Sequence, residues 1–153
     1  MTVSIHQPNY LPYPGFFNKI KHSDIYVLYD TAQYVKNRWD NRNRIRTKEG
    51  FTYLTIPLKN KDSYLKRFFE VKLPDDNRWQ QKHWKSIVAN YGKAAYFNKY
   101  KAFFENLYQN SWKMLTELNE MIIKYIMQEL DIDTKLIRAS ELQLPLELKS
   151  TDM

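Results

Sequence analysis

Apolar positions open the chain as a short block over residues 2–5, Thr-Val-Ser-Ile, and stop at His6. This block reads as a short buried strand. A sharp break follows, carrying Pro8, Pro12, Pro14 and Gly15. Phe16, Phe17 and Ile20 then fit the start of a short helix, with Pro14 and Gly15 suited to its entrance. Residues 25–29, Ile-Tyr-Val-Leu-Tyr, form a second strand that ends at Asp30. Strand, turn, helix and strand in that order predict the β-α-β unit of a parallel sheet, because parallel neighbours need a crossover connection.

Residues 34–50 are polar and basic, and residues 51–57 turn extended again. Lys48-Glu49-Gly50 predicts a hairpin turn between Ile45 and Phe51. Residues 68–73 are expected to add another strand. From residue 77 the period becomes helical. Asn77 is placed to cap a helix whose Trp79, His83, Trp84, Ile87, Val88 and Tyr91 share a face, and Gly92 is placed to stop it. A second helix is expected over 96–110 and a third over 112–130. The stripe of Leu115, Leu118, Ile122, Ile126 and Leu130 in the third is the clearest periodic signal in the chain. Residues 134–137 read as a last short strand, and the tail from Ser140 has no strong pattern. The expected fold is α/β: a β-α-β unit in a mainly parallel, Rossmann-like sheet, covered by the three helices of the C-terminal half, as one domain over 1–153.

Composition narrows the classes. At 43% hydrophobic residues the chain can bury a sizeable core, and 16% aromatic content is high for 153 residues. Tyrosine and tryptophan bury large areas but need partners for their polar atoms, so an aromatic core and a lined pocket are both open. Cysteine is absent, which excludes disulfides, thiolate metal sites and a cysteine nucleophile. No signal segment opens the chain and no apolar run reaches the length of a membrane span, so a cytoplasmic location is expected. A net charge of +7 favours anionic partners.

Chemistry concentrates in two places. His6, Gln7 and Asn9 follow directly on the first strand, at the carboxyl end where open parallel sheets bind ligands. The helix entrance beyond offers backbone N–H groups to a phosphate. His6 suits a general acid or base, or a donor to a phosphate oxygen; Gln7 and Asn9 suit an amide, a sugar hydroxyl or a base edge. The alternative is a turn whose side chains bond its own backbone. Asp30 ends the second strand and is a candidate to reach the same cleft, to hold a hydroxyl or metal-bound water there, or only to cap a loop.

The second place is Asn41-Arg42-Asn43-Arg44-Ile45-Arg46. In an extended segment Arg42, Arg44 and Arg46 share one face, and guanidiniums bind phosphate or carboxylate bidentately. A solvated basic edge strand is the alternative. Lys82, His83 and Lys85 form a third cluster, in which His83 falls on an apolar helix face and reads as a core histidine. No dinucleotide, P-loop, zinc-protease or nucleophile-elbow motif occurs, and the three histidines give no metal signature.

His6-Gln7-Pro8-Asn9-Tyr10-Leu11-Pro12, Gly15-Phe16-Phe17, Asn41-Arg42-Asn43 with Ile45, and Leu54-Thr55-Ile56-Pro57 resemble the WbqC-like family. So do His83-Trp84-Lys85, Asn90-Tyr91-Gly92-Lys93 and Ser140-Glu141-Leu142. The resemblance implies a transferase of surface-polysaccharide (O-antigen) or nucleotide-sugar metabolism, with glycine transfer to an amino sugar as one suggested activity. It carries His6, Gln7, Asn9, Asn41, Arg42 and Asn43 over as site positions. Family members continue beyond Thr151-Asp152, so a C-terminally shortened chain is expected. A looser likeness of the first thirty residues to the nucleotidylyltransferases extends to His6 only.

Together these readings place His6, Gln7, Asn9 and Asp30 as catalytic candidates and Tyr10, Asn41, Arg42, Asn43, Arg44 and Arg46 as substrate- or phosphate-binding candidates. The expected partner is a small anionic or phosphorylated substrate, with a nucleotide or nucleotide sugar as the candidate cofactor and no metal signature in the sequence. A non-catalytic module for an anionic ligand or nucleic acid ranks second.

Overall fold

The computed structural model describes residues 1–59, 61 and 63–142. The expectation attached to Thr151-Asp152 lies outside the described residues. The elements run β1 (Val3–His6), α1 (Pro14–Lys21), β2 (Ile25–Leu28), β3 (Arg42–Thr47), β4 (Gly50–Thr55), α2 (Arg78–Tyr91), α3 (Phe97–Gln109), α4 (Leu115–Glu129) and β5 (Lys135–Arg138). Short 3₁₀ turns lie at Ser63–Leu65, Phe68–Glu70 and Ala139–Glu141.

The architecture is mixed α/β. β1 and β2 pair in parallel, from Val3 opposite Ile25 to His6 opposite Leu28, and β5 pairs in parallel on the other side of β2. The hairpin expected around Lys48 forms as β3 and β4, antiparallel, with Arg42 opposite Thr55 and Thr47 opposite Gly50. It stands as a separate two-stranded sheet. Gly50 takes a φ of +135°, outside the reach of ordinary side chains, which explains a glycine at that corner.

Two apolar cores meet along α4. Phe16, Phe17 and Ile20 of α1 pack with Tyr26 and Leu28 of β2 and with Ile123, Met127 and Ile132. Leu115, Leu118 and Ile122, from the preceding turns of α4, pack instead with Ile45, Leu54 and Ile56 of the hairpin and with Trp79, Leu107 and Tyr108. This corrects the expectation that all three later helices cover the parallel sheet. α4 bridges both cores, whereas α2 packs on the hairpin and α3 packs on α2 and, through Phe103 and Tyr125, on α4.

Two strand expectations are also corrected. Residues 2–5 do not form a buried strand: β1 is an edge strand, with Val3 52% and Ile5 38% exposed. Residues 68–73 form no continuous strand: residues 68–70 make a 3₁₀ turn, and from Val71 the backbone is extended, with Leu73 donating to the Lys113 carbonyl and the Val71 carbonyl accepting from Leu115. The Val71 N–H turns back to the Phe68 carbonyl at 3.1 Å, so a bond that a ladder would need is made locally. Only single bridges, Gln33 to Arg67 and Lys72 to Met114, remain there. Among the described residues no helix is long and apolar enough to cross a membrane.

Candidate functional site

The chain leaves β1 at His6 and enters a tight turn that ends with Leu11 at φ +48°, a left-handed conformation rare for a leucine. What holds this turn lies far away in sequence. Asn43 donates to the carbonyls of Tyr10 (3.2 Å) and Leu11 (2.5 Å). The Tyr10 N–H donates to the Trp39 carbonyl at 3.0 Å. Asn119 of α4 donates to the carbonyls of Pro8 and Asp40, both at 2.8 Å. The His-Gln-Pro-Asn turn and the segment before β3 are thus tied into one unit.

Between them opens a cleft of about 700 Å³ lined by His6, Gln7, Asn9, Tyr13, Asn37, Arg38, Trp39 and Asp40. His6 is exposed, and its Nδ1 donates to the Gln7 carbonyl at 2.9 Å. A carbonyl can only accept, so Nδ1 carries the hydrogen and Nε2 keeps its lone pair when the ring is neutral. Its ring stands edge-on to Phe16. Asn9 is buried in the cleft wall. The helix entrance offers less than the sequence suggested: Pro14 has no N–H, and the Phe16 N–H is bonded to the Tyr13 carbonyl at 3.0 Å.

Asp40 carries the strongest perturbation in this cleft. It is 2% exposed, and its Oδ2 is buried with no hydrogen-bond partner. Burial pushes its carboxyl from the usual 3.8 up to about 7, against the opposing pull of the Arg38 guanidinium. Sequence reading missed Asp40 together with Tyr13, Asn37, Arg38 and Trp39. Its one signal was adjacency to Asn41-Arg42-Asn43.

The basic block divides as strand alternation dictates. Asn41 is buried and donates to the Ile56 carbonyl at 2.8 Å, so both asparagines of the block pin backbone. Arg42 bonds the Asn37 carbonyl at 2.7 Å and lies over the Tyr53 ring. It lines a second cleft of about 220 Å³ with Tyr34, Lys36, Asn37, Asn41 and Lys61 among its walls. Asn37 is shared by the two clefts. Arg44 is exposed between Trp39 and Phe51, and Arg46 is exposed further along β3. Neither lines either cleft.

Two candidates point elsewhere. Tyr10, expected to face a ligand, is wholly buried. Its hydroxyl lies 3.0 Å from His83 Nδ1 and 2.5 Å from the Tyr108 hydroxyl. His83 Nε2 faces the Thr55 carbonyl at 3.2 Å and must donate to it, so Nδ1 accepts from Tyr10, and Tyr10 accepts from Tyr108. Burial depresses the His83 pKa from 6.5 to about 4, which keeps the ring neutral. It is the core histidine that its apolar helix face suggested. Asp30 is fully buried outside the 700 Å³ cleft; its two oxygens accept the Ser140 N–H at 2.9 Å and the Ser140 hydroxyl at 2.6 Å. It caps the turn after β5. Among the described residues no group of three or more His, Asp or Glu side chains is placed to hold a metal ion.

The site is thus a polar cleft at the carboxyl end of β1, walled by the His-Gln-Pro-Asn turn and residues 37–40, with Asn41 and Arg42 lining the neighbouring cleft. Residues 7–152 match the WbqC-like protein family, and the chain belongs to that family. It is similar to the uncharacterized protein Rv1507c of Mycobacterium tuberculosis, 33% identical over 143 residues. That alignment takes in 93% of this chain and 62% of the relative's length. No solved structure matches the chain significantly.

Proposed function

We propose that this chain acts, as one domain with a Rossmann-like sheet, in a transferase of surface-polysaccharide or nucleotide-sugar metabolism. The observation that carries the reading is the pair of clefts that share Asn37 in their walls. One is basic and built around Arg42; the other holds His6, Gln7, Asn9 and Asp40. In this reading Arg42, with Lys36 and Lys61, takes the phosphates of an activated donor such as a nucleotide sugar. Gln7 and Asn9 orient the reacting group, and His6 serves proton transfer or donates to a phosphate oxygen. Aminoacyl transfer, glycine to an amino sugar, is the specific form that the family likeness favours. The test is a thermal-shift screen of nucleotides and nucleotide sugars, repeated on His6→Ala and Arg42→Ala.

A second reading rests on α2. Arg78, Lys82 and Lys85 line a shallow basic concavity with Gln81, Ser86 and Asn90. A non-catalytic module for an anionic polymer would use that face, and its affinity would fall steeply with salt. Loss of polyanion binding in Lys82→Gln/Lys85→Gln, with no response to small nucleotides, would favour it.

A further inference from the structure

His6 is the obvious acid–base group in the cleft by sequence, yet its Nδ1 is committed to the Gln7 carbonyl and its ring is exposed to water. Asp40 differs in each respect. Its main chain is fixed on both sides: the Trp39 carbonyl accepts from Tyr10, the Asp40 carbonyl accepts from Asn119, and the Asn41 side chain is bonded to Ile56. Asp40 is among the residues that line the cleft, and its Oδ2 is buried and unpartnered. A buried oxygen left without a donor costs stability, so an orphan at a cleft wall marks a place where a ligand's donor belongs. Asp40 is 2% exposed, so a ligand's donor meets the carboxyl when the side chain changes rotamer toward the cleft.

We propose that the Asp40 carboxyl is the proton acceptor of this cleft, and that the group it accepts from is a primary amine of the substrate. The proposal rests on the transferase reading above. The amine nitrogen forms the new bond to the reacting carbon of the activated donor. The bond from that carbon to its leaving group breaks, and the leaving group departs with the bonding pair. The Asp40 carboxylate takes one proton from the bound ammonium, which frees the nitrogen lone pair for that attack; the resulting neutral acid later returns the proton to water, and the second proton that the nitrogen sheds after bond formation also leaves to water. An amine fits better than a hydroxyl because an ammonium supplies both the charge and the hydrogen that an orphaned carboxylate oxygen lacks.

The charged and titratable groups around Asp40 permit this role. Arg38, on its own segment, favours the carboxylate; burial opposes it and wins. Tyr34 is held neutral, its pKa raised to about 12 by burial and by Asp40, with Arg42 opposing. Across the cleft stands His6, and the α4 residue that reaches the Asp40 main chain is the uncharged Asn119. The balance leaves a carboxyl that changes protonation near neutrality, as a group that must both take and release a proton requires.

The test follows the Asp40 carboxyl by ¹³C NMR in aspartate-labelled protein, across pH, with glucosamine as the amine probe and N-acetylglucosamine as its uncharged control. Asp40→Asn assigns the resonance, and through-bond assignment of the wild type replaces it if that variant does not fold. The expected result is a midpoint near 7 that falls by about one unit with glucosamine, as a cation within contact distance requires, and stays put with the control. A midpoint in the ordinary carboxylate range, or one that saturating glucosamine leaves unmoved, overturns the proposal. Thermal shift with UDP-N-acetylglucosamine separates the two readings. If that ligand binds while Asp40 is unresponsive, the transferase reading stands and the Asp40 role falls. If Asp40 responds to glucosamine while no nucleotide or nucleotide sugar binds, the reverse holds.

Discussion

The side-chain amide of Asn119 hydrogen-bonds the main-chain carbonyl of Asp40 across 79 positions of sequence, at 2.8 Å, and spends its other hydrogen on Pro8. One fully buried residue of α4 thereby sets the two walls of the cleft. Asn119→Ala leaves both carbonyls without that donor. It should cost on the order of 2–4 kcal/mol of stability, read by urea unfolding, and should weaken any ligand that spans the cleft.

Asp40 and His83 give opposite pH slopes to stability. The Asp40 carboxyl titrates near 7 folded and near 3.8 unfolded. Between those values the folded chain binds the extra proton, so this term gains stability as pH falls and is lost as pH rises through 7. His83 titrates near 4 folded against 6.5 unfolded. There the unfolded chain binds the extra proton, and stability is lost as pH falls from 6.5 towards 4. The two terms largely offset each other in the wild type. Asp40→Asn removes one of them. The variant should be more stable than wild type above pH 7 and should lose on the order of 3 kcal/mol between pH 6.5 and 4. Urea midpoints at pH 7.5 and 4.5 check both signs.

The Tyr108–Tyr10–His83 chain is structural. Tyr10→Phe strands the His83 Nδ1 acceptor in the core and should cost roughly 1–3 kcal/mol. Because its ring is buried away from the cleft, ligand affinity should stay within about twofold, a difference of under half a kcal/mol. Parallel denaturation and calorimetric titration separate the two effects.

How much of this was legible follows from range. The β-α-β unit, the hairpin and α4 are written in local periodicity and turn residues, and each forms close to where the pattern put it. Residues 68–73 alternate like a strand, but alternation cannot reveal that the Val71 N–H bonds three residues back. The His-Gln-Pro-Asn turn and Asn41-Arg42-Asn43 were visible as unusual polar blocks. Their division of labour was not. Asn41 and Asn43 pin backbone, and the Asp40 main chain is held by a bond from α4 that no local pattern encodes.

Within the arginine strip Arg42 lines the 220 Å³ cleft, whereas Arg44 and Arg46 line neither that cleft nor the 700 Å³ one. Arg42→Gln should weaken binding of a phosphorylated ligand roughly 10- to 100-fold, the worth of a charged hydrogen bond. Arg44→Gln and Arg46→Gln should leave it unchanged. Titration of the three variants with one nucleotide sugar checks the ranking.

The central claim, that the His6 and Arg42 clefts together hold an activated, phosphorylated substrate, is tested most directly by thermal unfolding of the wild type, His6→Ala and Arg42→Ala with nucleotides and nucleotide sugars. At hundredfold excess over its dissociation constant, a true ligand should raise the wild-type Tm by roughly 5–10 °C. Both variants should fold and lose most of that rise. A rise that survives in both variants, or no rise with any compound, contradicts the account.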